Sequence, residues 1–156
     1  MITYNFMTGT RGLFGGESSY RLTSGEYENA TASGALLYFK YNSDGGKDYT
    51  FTEQAHRLLF GTGDTPESPE DYKLVELTTD YTVLSSTKTL SGEYGKDVAI
   101  YTRVIQAGES VLTIKEQGLV IGRSGFSALI ARDVLPEPVV LQPGEKHTFT
   151  MTIGLE

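Results

Sequence analysis

A hydrolase that pairs a serine or cysteine nucleophile with a histidine base finds few candidate residues in this sequence. Its 156 residues include two histidines, His56 and His147, and no cysteine. Ser124 lies between two glycines in a Gly-Arg-Ser-Gly segment, but a nucleophile elbow reads Gly-x-Ser-x-Gly and joins a strand to a helix. Here both flanking segments have strand patterns. We therefore predict no catalytic residue. The alternative is an enzyme of unfamiliar type, for which His56, His147 and Ser124 are the residues to test by mutation.

Two oxygen-rich loops could be considered as metal sites. Asn42, Asp44 and Asp48 surround a pair of glycines, but they lack the regular ligand spacing and the distal glutamate of a calcium loop. The segment Gly61–Asp71 carries four acidic residues and two prolines, as a solvated surface loop would. We predict plain turns at both places, with no metal site and no cofactor.

One pair of charges is expected to serve the fold. Two segments with strand patterns, Val111–Ile121 and Phe126–Leu135, flank Gly122–Gly125, which predicts a β-hairpin. A turn centred there places Glu116 opposite Arg132 or its neighbour. Opposite charges that face each other across two strands contribute roughly 0.2–1 kcal/mol. The sequence therefore predicts a cross-strand ion pair, and the alternative is two unrelated solvated charges.

The last strand has the clearest pattern in the chain. Apolar residues at 149, 151, 153 and 155 alternate with threonines at 148, 150 and 152, so one face is buried and the other faces water. The preceding Gln142–Glu145 is a turn, because Pro143 fixes φ and Gly144 can adopt a positive φ. A buried face with a polar opposite face is typical of an antiparallel sheet packed on one side.

Similar short patterns recur along the chain and predict its fold class. Further strands are expected at Ile2–Met7, Tyr20–Leu22, Ala35–Tyr41, Tyr49–Phe51, Arg57–Phe60, Lys73–Leu77, Tyr81–Leu90 and Asp97–Ile105. Short strands separated by turns indicate an all-β, single-domain antiparallel β-sandwich, jelly-roll-like. We expect it to span residues 35–156, with residues 1–34 as a glycine-rich N-terminal arm and loop region. Pro136 and Pro138 should place their segment at a corner or an edge.

Charge and composition exclude several partners. Thirteen basic and 20 acidic side chains give a net charge of −7, which argues against nucleic acid. No apolar stretch approaches the roughly 20 residues that span a membrane, and the first residues do not resemble a signal peptide. Ten tyrosines leave open an alternative function as a glycan-binding module, because sugars stack on aromatic faces, although no tryptophan is present.

The glycine-rich segment Thr8–Ser19 allows two interpretations. Its glycines lie beside Arg11, but a phosphate-binding loop needs a strand before it and a helix after it, and neither is predicted. It is either an ordinary loop or an arm that becomes ordered against a neighbouring subunit. In the second case the expected assembly contacts are Arg11 and Phe14.

Four segments together resemble a loose group of tailed-bacteriophage virion proteins. They are Phe60–Pro69, Lys115–Leu119, Leu129–Val134 and Pro143–Glu145, and the similarity covers roughly residues 57–155. The shared pattern runs from a glycine-threonine loop with prolines, through an I-x-E-x-G-L step and an L-I-A-R strand, to a P-G-E turn. Gln117 departs from it, because an apolar residue is common there.

The resemblance implies a non-enzymatic structural protein of the virion, made in the cytoplasm of the bacterial host. It would belong to the neck, tail, baseplate or fibre attachment, or decorate the capsid. Such a protein works by forming homo-oligomers and by docking onto other virion structural proteins. Loop residues Asp64, Glu67 and Glu70 are then further expected assembly contacts.

Overall fold

All regular structure in the described part of the chain is β-strand. The computed structural model describes residues 1, 19–21, 23–29, 40–41, 47–48, 56–91, 98–123 and 126–154. In chain order the strands are β1 (Ser19–Arg21), β2 (Tyr27–Asn29), β3 (Lys40–Tyr41), β4 (Lys47–Asp48), β5 (His56–Gly61), β6 (Tyr81–Ser91), β7 (Val98–Ala107), β8 (Leu112–Arg123), β9 (Phe126–Leu141) and β10 (Lys146–Gly154). The predicted all-β class is confirmed.

The six later strands form two antiparallel sheets that pack face to face. One sheet has the order β5-β8-β9 and the other β10-β7-β6, while β1 pairs with β2 and β3 with β4. The inner faces share one hydrophobic core. At its centre the rings of Phe60 and Phe149, from different sheets, lie 4.4 Å apart, and Tyr81 meets Phe60 edge-on at 5.4 Å. The predicted β-sandwich is confirmed.

The alternation predicted for the last strand determines how it lies in the sandwich. Phe149 and Met151 are buried in the core, whereas the threonines between and around them are exposed. Gly144 has φ 79°, as the third position of a type II turn requires. The turn is closed by a bond of 2.9 Å from the Glu145 N–H to the Gln142 carbonyl. Both predictions are confirmed.

One predicted strand is wrong. Lys73–Leu77 does not form a strand, apart from an isolated bridge between Leu77 and Gly61. Only Leu74 of this segment is buried, while Val75 and Leu77 are 50% and 54% exposed. The segment covers the outer face of the β5-β8-β9 sheet, because Leu74 packs on that face instead of pairing in a ladder.

The two prolines lie in an edge strand, as predicted. β9 is at the edge of its sheet, and it continues beyond the predicted end at Leu135 through Pro136 and Pro138 to Leu141. The register with β8 shifts between Ile114 and Glu116, opposite the prolines. An edge strand tolerates proline because its outward N–H groups need no neighbouring strand.

Several predictions for the first third of the chain fall outside the described residues. These include the strands at Ile2–Met7 and Tyr49–Phe51, most of Ala35–Tyr41, and the domain boundary near residue 35. Where the N-terminal region is described, it contacts the sandwich: the Arg21 guanidinium lies 3.7 Å above the Tyr72 ring. Nowhere in the described ranges is there a helix long and apolar enough to cross a membrane.

Candidate functional site

The predicted ion pair is present and lies at the centre of a buried polar network. The Arg132 Nε donates to the Glu116 Oε2 at 2.7 Å, and the side chains are 1% and 0% exposed. The two residues are diagonal neighbours, since Val134 lies opposite Glu116 and Arg132 lies opposite Gly118. Diagonal neighbours share a face and are within reach of long side chains.

A one-residue register shift places Arg132 on this face. Leu119 pairs with Ala131, but Val120 pairs with Leu129, which leaves Ile130 as an extra residue in β9. A bulge of this kind moves every later side chain to the opposite face. If the register of Arg123 with Phe126 continued without this shift, Asp133 would lie opposite Glu116. The bulge therefore replaces two facing carboxylates with an ion pair.

Arg132 also holds the loop that follows β5. Its Nη1 donates to the Asp71 Oδ2 at 2.9 Å, and its Nη2 donates to the Thr65 carbonyl at 3.0 Å. Burial alone would lower the pKa of Arg132, but the hydrogen bonds and charges of Glu116 and Asp71 raise it above its ordinary value. The guanidinium is thus a permanent cation that fastens residues 65–71 to the sheet.

Glu116 fastens the next part of the same loop. Its second oxygen, Oε1, accepts a bond of 3.0 Å from the Glu76 N–H. The carboxylate lies so close to the chain that a Cβ on Gly61 or Gly63 would collide with it. A Cβ on Gly61 would also lie 2.7 Å from the Glu76 carbonyl oxygen. Glycine is therefore required at both positions, because the Glu116 carboxylate approaches the backbone closely there.

Gly61→Ala is expected to destabilise the protein by about 1–3 kcal/mol, because the backbone must move to make room for the methyl group. The measurement is the free energy of unfolding in urea. Thr62→Ala is the matched control, since it removes one exposed bond of 2.6 Å to the Glu76 carboxylate and causes no collision. Equal effects from the two substitutions would contradict the close packing at Gly61.

The loop buries a second, smaller hydrophobic core on the outer face of the sheet. Leu74 packs there against Val120 and Leu129, with Leu59 alongside. Gly118 lies beneath this cluster, where a Cβ would be 2.7 Å from the Leu74 Cδ2. Polar and apolar contacts thus hold the loop on the same face.

Asp64 and Glu67, two of the three acidic residues expected as assembly contacts, bind within their own chain. Asp64 is 71% exposed and its carboxylate lies 2.8 Å from the Lys115 Nζ. Glu67 accepts a bond of 2.8 Å from the Val134 N–H and lies 3.2 Å from the amino group of Met1. The Glu70 side chain is exposed. The prediction of a solvated loop was therefore incomplete, because Glu67 and Asp71 bind groups of β9 and hold the loop in place.

Several groups cover the free edge of β9. The Thr23 N–H donates to the Ser127 carbonyl at 2.8 Å, and the Arg132 N–H donates to the Met1 carbonyl at 2.9 Å. The Met1 amino group donates to the Arg132 carbonyl in return. Partial burial acts to raise the pKa of Glu67, but the Val134 N–H, the Met1 amino group and Arg132 together lower it. An edge covered in this way cannot pair with another chain.

Glu67→Ala is expected to speed hydrogen exchange at the Val134 amide by about ten-fold or more, since a bond to a charged acceptor is worth about 1.5–3 kcal/mol. Exchange at single amides, measured by NMR, tests this. Glu70→Ala is the matched control in the same loop and should leave the rate unchanged. An unchanged rate in Glu67→Ala would show that the edge is protected by other groups.

The structure places the two histidines in different sheets. His56 is buried in β5 of one sheet, with its ring 6.0 Å from that of Tyr101. His147 is the second residue of β10 in the other sheet, and its ring lies 4.6 Å from the Phe149 ring. Ser124, Arg11, Phe14, Asn42 and Asp44 lie outside the described residues. Over the described ranges, no group of three His, Asp or Glu side chains is placed to hold a metal ion.

Three of the tyrosines have described side chains, and all three take part in packing. Tyr81 and Tyr101 belong to the main core, where burial raises the pKa of Tyr101 to about 12. Tyr72 lies beneath the Arg21 guanidinium at 3.7 Å. These rings therefore serve the fold instead of forming a platform for sugar.

Two polar features of the core were not predicted from the sequence. Arg103 is 6% exposed, and it donates from Nε to the Ser86 hydroxyl at 2.8 Å and from Nη1 to the Leu58 carbonyl in the opposite sheet at 2.6 Å. Gln117 is 4% exposed, and its Nε2 donates to Asp133 at 3.0 Å. Only the departure of Gln117 from the shared pattern hinted at a polar site.

The chain matches no family model, and no curated protein or solved structure is detectably similar to it. Function has therefore to be argued from the residues and their geometry.

Proposed function

We propose that this chain is a non-enzymatic structural protein of a tailed-bacteriophage particle, which self-associates and docks onto other virion proteins. The support begins with the resemblance over residues 57–155. Its segments are far apart in the sequence, but three of them meet in the fold at one buried polar network.

The observation that carries the proposal is the convergence of three of those segments on the Arg132 network. Gly61 and Gly63 make room for Glu116, and Arg132 binds both that carboxylate and the loop carbonyl of Thr65. All three contacts fix a long loop on one face of a sandwich. Residues that attach a loop firmly to a sheet are suited to a rigid module that presents surfaces to neighbouring proteins.

The opposite sheet offers such a surface. The outer face of the β10-β7-β6 sheet carries Thr87, Thr102 and Thr150 in one cross-strand row, and the Thr102 and Thr150 hydroxyls lie 3.4 Å apart. Within residues 82–89, 99–106 and 147–153, no charged side chain points out from this face. A neutral face that carries a row of hydroxyls can be buried against another protein without desolvating charge.

Quantitative mass spectrometry of purified particles tests the proposal directly. The phage is the one whose genome carries this sequence, and the major capsid protein provides the copy-number standard. We expect a fixed number of copies per particle: a few to a few dozen in the neck, tail or fibre apparatus, or hundreds in a capsid decoration. A replication protein of the same phage is the control for contamination. Absence from the particle, or a level no higher than that control, overturns the proposal.

A further inference from the structure

Three of the four edges of the two sheets, as formed by the described strands, are protected against pairing with another chain. The β9 edge is covered by Met1, Thr23 and Glu67, as described above, and its prolines at 136 and 138 lack N–H groups. The β5 edge is covered as well. The Phe60 carbonyl accepts from the Thr78 N–H at 2.9 Å, and the Leu58 carbonyl accepts from Arg103.

The β6 edge is protected by its shape and by a charge. Its register with β7 shifts between Val83 and Ser85, so Leu84 forms a bulge. Lys88 points inward, with its Nζ 5.4 Å from the centre of the Tyr101 ring. Bulges and inward-pointing charges are the devices by which natural sheets avoid edge-to-edge association.

The β10 edge has none of these devices. Its register with β7 is continuous from Lys146 to Gly154, and it contains no proline and no charged residue after Lys146. On this side of β10 the described residues make one hydrogen bond, a long one of 3.4 Å from the Gln117 Nε2 to the Thr150 carbonyl. A carbonyl oxygen has two lone pairs and can accept a second bond.

We infer that β10 pairs antiparallel with β10 of a second copy of this chain, which joins the two β10-β7-β6 sheets into one six-stranded sheet. This pairing specifies how the chain would self-associate. It rests on the proposed function only for the expectation that the chain self-associates. A two-fold axis makes such an interface self-complementary.

The sequence of β10 selects one register. Pairing all nine residues requires the axis to pass through Thr150, with Lys146 opposite Gly154 of the other copy. The Thr150 carbonyl points away from β7 and can accept a second bond beside that from Gln117. Alternation along an antiparallel strand gives Thr148 and Thr152 the same direction. Threonines then face threonines on the outer side, which is a favourable cross-strand pairing.

The same register is compatible with the apolar side chains on the inner face of β10 and with the charge of the chain. Phe149 would face Met151 of the other copy, so apolar side chains remain together. The net charge of −7 opposes association in general, but no acidic side chain lies in β10. Pairing of edges alone makes a small interface, below about 1,200 Å², so we expect a weak dimer that a larger assembly strengthens through multiple contacts.

Single-cysteine variants test the register, because the chain has no cysteine of its own. Thr150→Cys should form a disulfide-linked dimer under mild oxidation, since hydrogen-bonded pairs have Cα atoms about 5.5 Å apart and disulfides span about 4.4–6.8 Å. Thr87→Cys is the matched control, in the same row and on the same face but at the β6 edge. Equal cross-linking of the two variants, or none in either, overturns the inference.

A charge-swap experiment tests the same axis without oxidation. Thr150→Lys and Thr150→Glu should each weaken the dimer by about ten-fold or more, because facing like charges cost several kcal/mol. Mixing the two variants should restore it. Native mass spectrometry measures the dimer, circular dichroism checks the fold, and Thr87→Lys and Thr87→Glu are the controls. A monomeric wild type, or a Thr150→Lys dimer as strong as the wild type, contradicts the inference.

The two proposals can fail separately. A chain that is present in the virion but shows no contact through Thr150 retains the proposed function and loses the β10 pairing. A chain that cross-links through Thr150 but is absent from the virion shows the reverse.

Discussion

Arg132→Met is expected to lower the free energy of unfolding by about 3–5 kcal/mol, because removing one partner of a buried ion pair leaves the other charge uncompensated. Glu116 is 0% exposed and Asp71 is 20% exposed, so neither can be fully hydrated in the folded state. Unfolding in urea measures the loss, and a chain of this length should show a fall in Tm of roughly 2–4 °C for each kcal/mol.

Two further variants separate the ion pair from general damage. Lys115→Met removes the cation of an exposed pair with Asp64, only one residue from Glu116, and should have a small effect because solvent screens such pairs. Adding Glu116→Leu to Arg132→Met should recover much of the stability, since both buried charges are then absent. The network is not as described if Arg132→Met costs no more than Lys115→Met.

Acid is expected to destabilise the protein through His56. Burial, with a smaller contribution from the charge of Lys88, lowers the pKa of His56 from 6.5 to about 4. The unfolded chain therefore binds a proton near pH 6.5, whereas the folded chain binds it only near pH 4. Stability from this group is complete above pH 6.5 and is lost as the pH falls to about 4, by roughly 3 kcal/mol in total.

His56→Gln isolates this effect, because glutamine is polar and does not titrate. Between pH 6.5 and 4 the variant should lose roughly 3 kcal/mol less stability than the wild type. His147→Gln is the matched control, since it removes a half-exposed imidazole from the start of β10. Identical pH dependence in the wild type and His56→Gln would show that protonation of this side chain is not linked to folding.

Most predictions that depend on neighbouring residues were correct where the structure describes them, and the strand at Lys73–Leu77 is the exception. The alternation from Thr148 to Ile153 specified a strand and its buried face, since that pattern has the two-residue period of a strand. Gly144 specified the turn before it, because a positive φ favours glycine. The prolines of β9 specified an edge strand. Each of these features follows from backbone geometry within a few residues.

The sequence also identified the partners Glu116 and Arg132, but the geometry that joins them is tertiary. The bulge at Ile130 decides which face Arg132 occupies, and no composition signal near Ile130 indicates it. Asp71 joins the network from a loop 61 residues away in the chain. The segment Lys73–Leu77 was predicted as a strand, but it lies over the outer face of the sheet because Leu74 packs there.

The sequence by itself thus determined an acidic all-β chain, its later strands and turns, and one ion pair, because these depend on local periodicity and on complementary charge. Only the tertiary structure decided which edges are exposed. β9 is covered by groups remote in sequence, such as Met1 and Glu67, whereas no strand among the described residues pairs with the outer edge of β10. Edge exposure depends on which distant segments fold over a strand, and this is information that the strand itself does not contain.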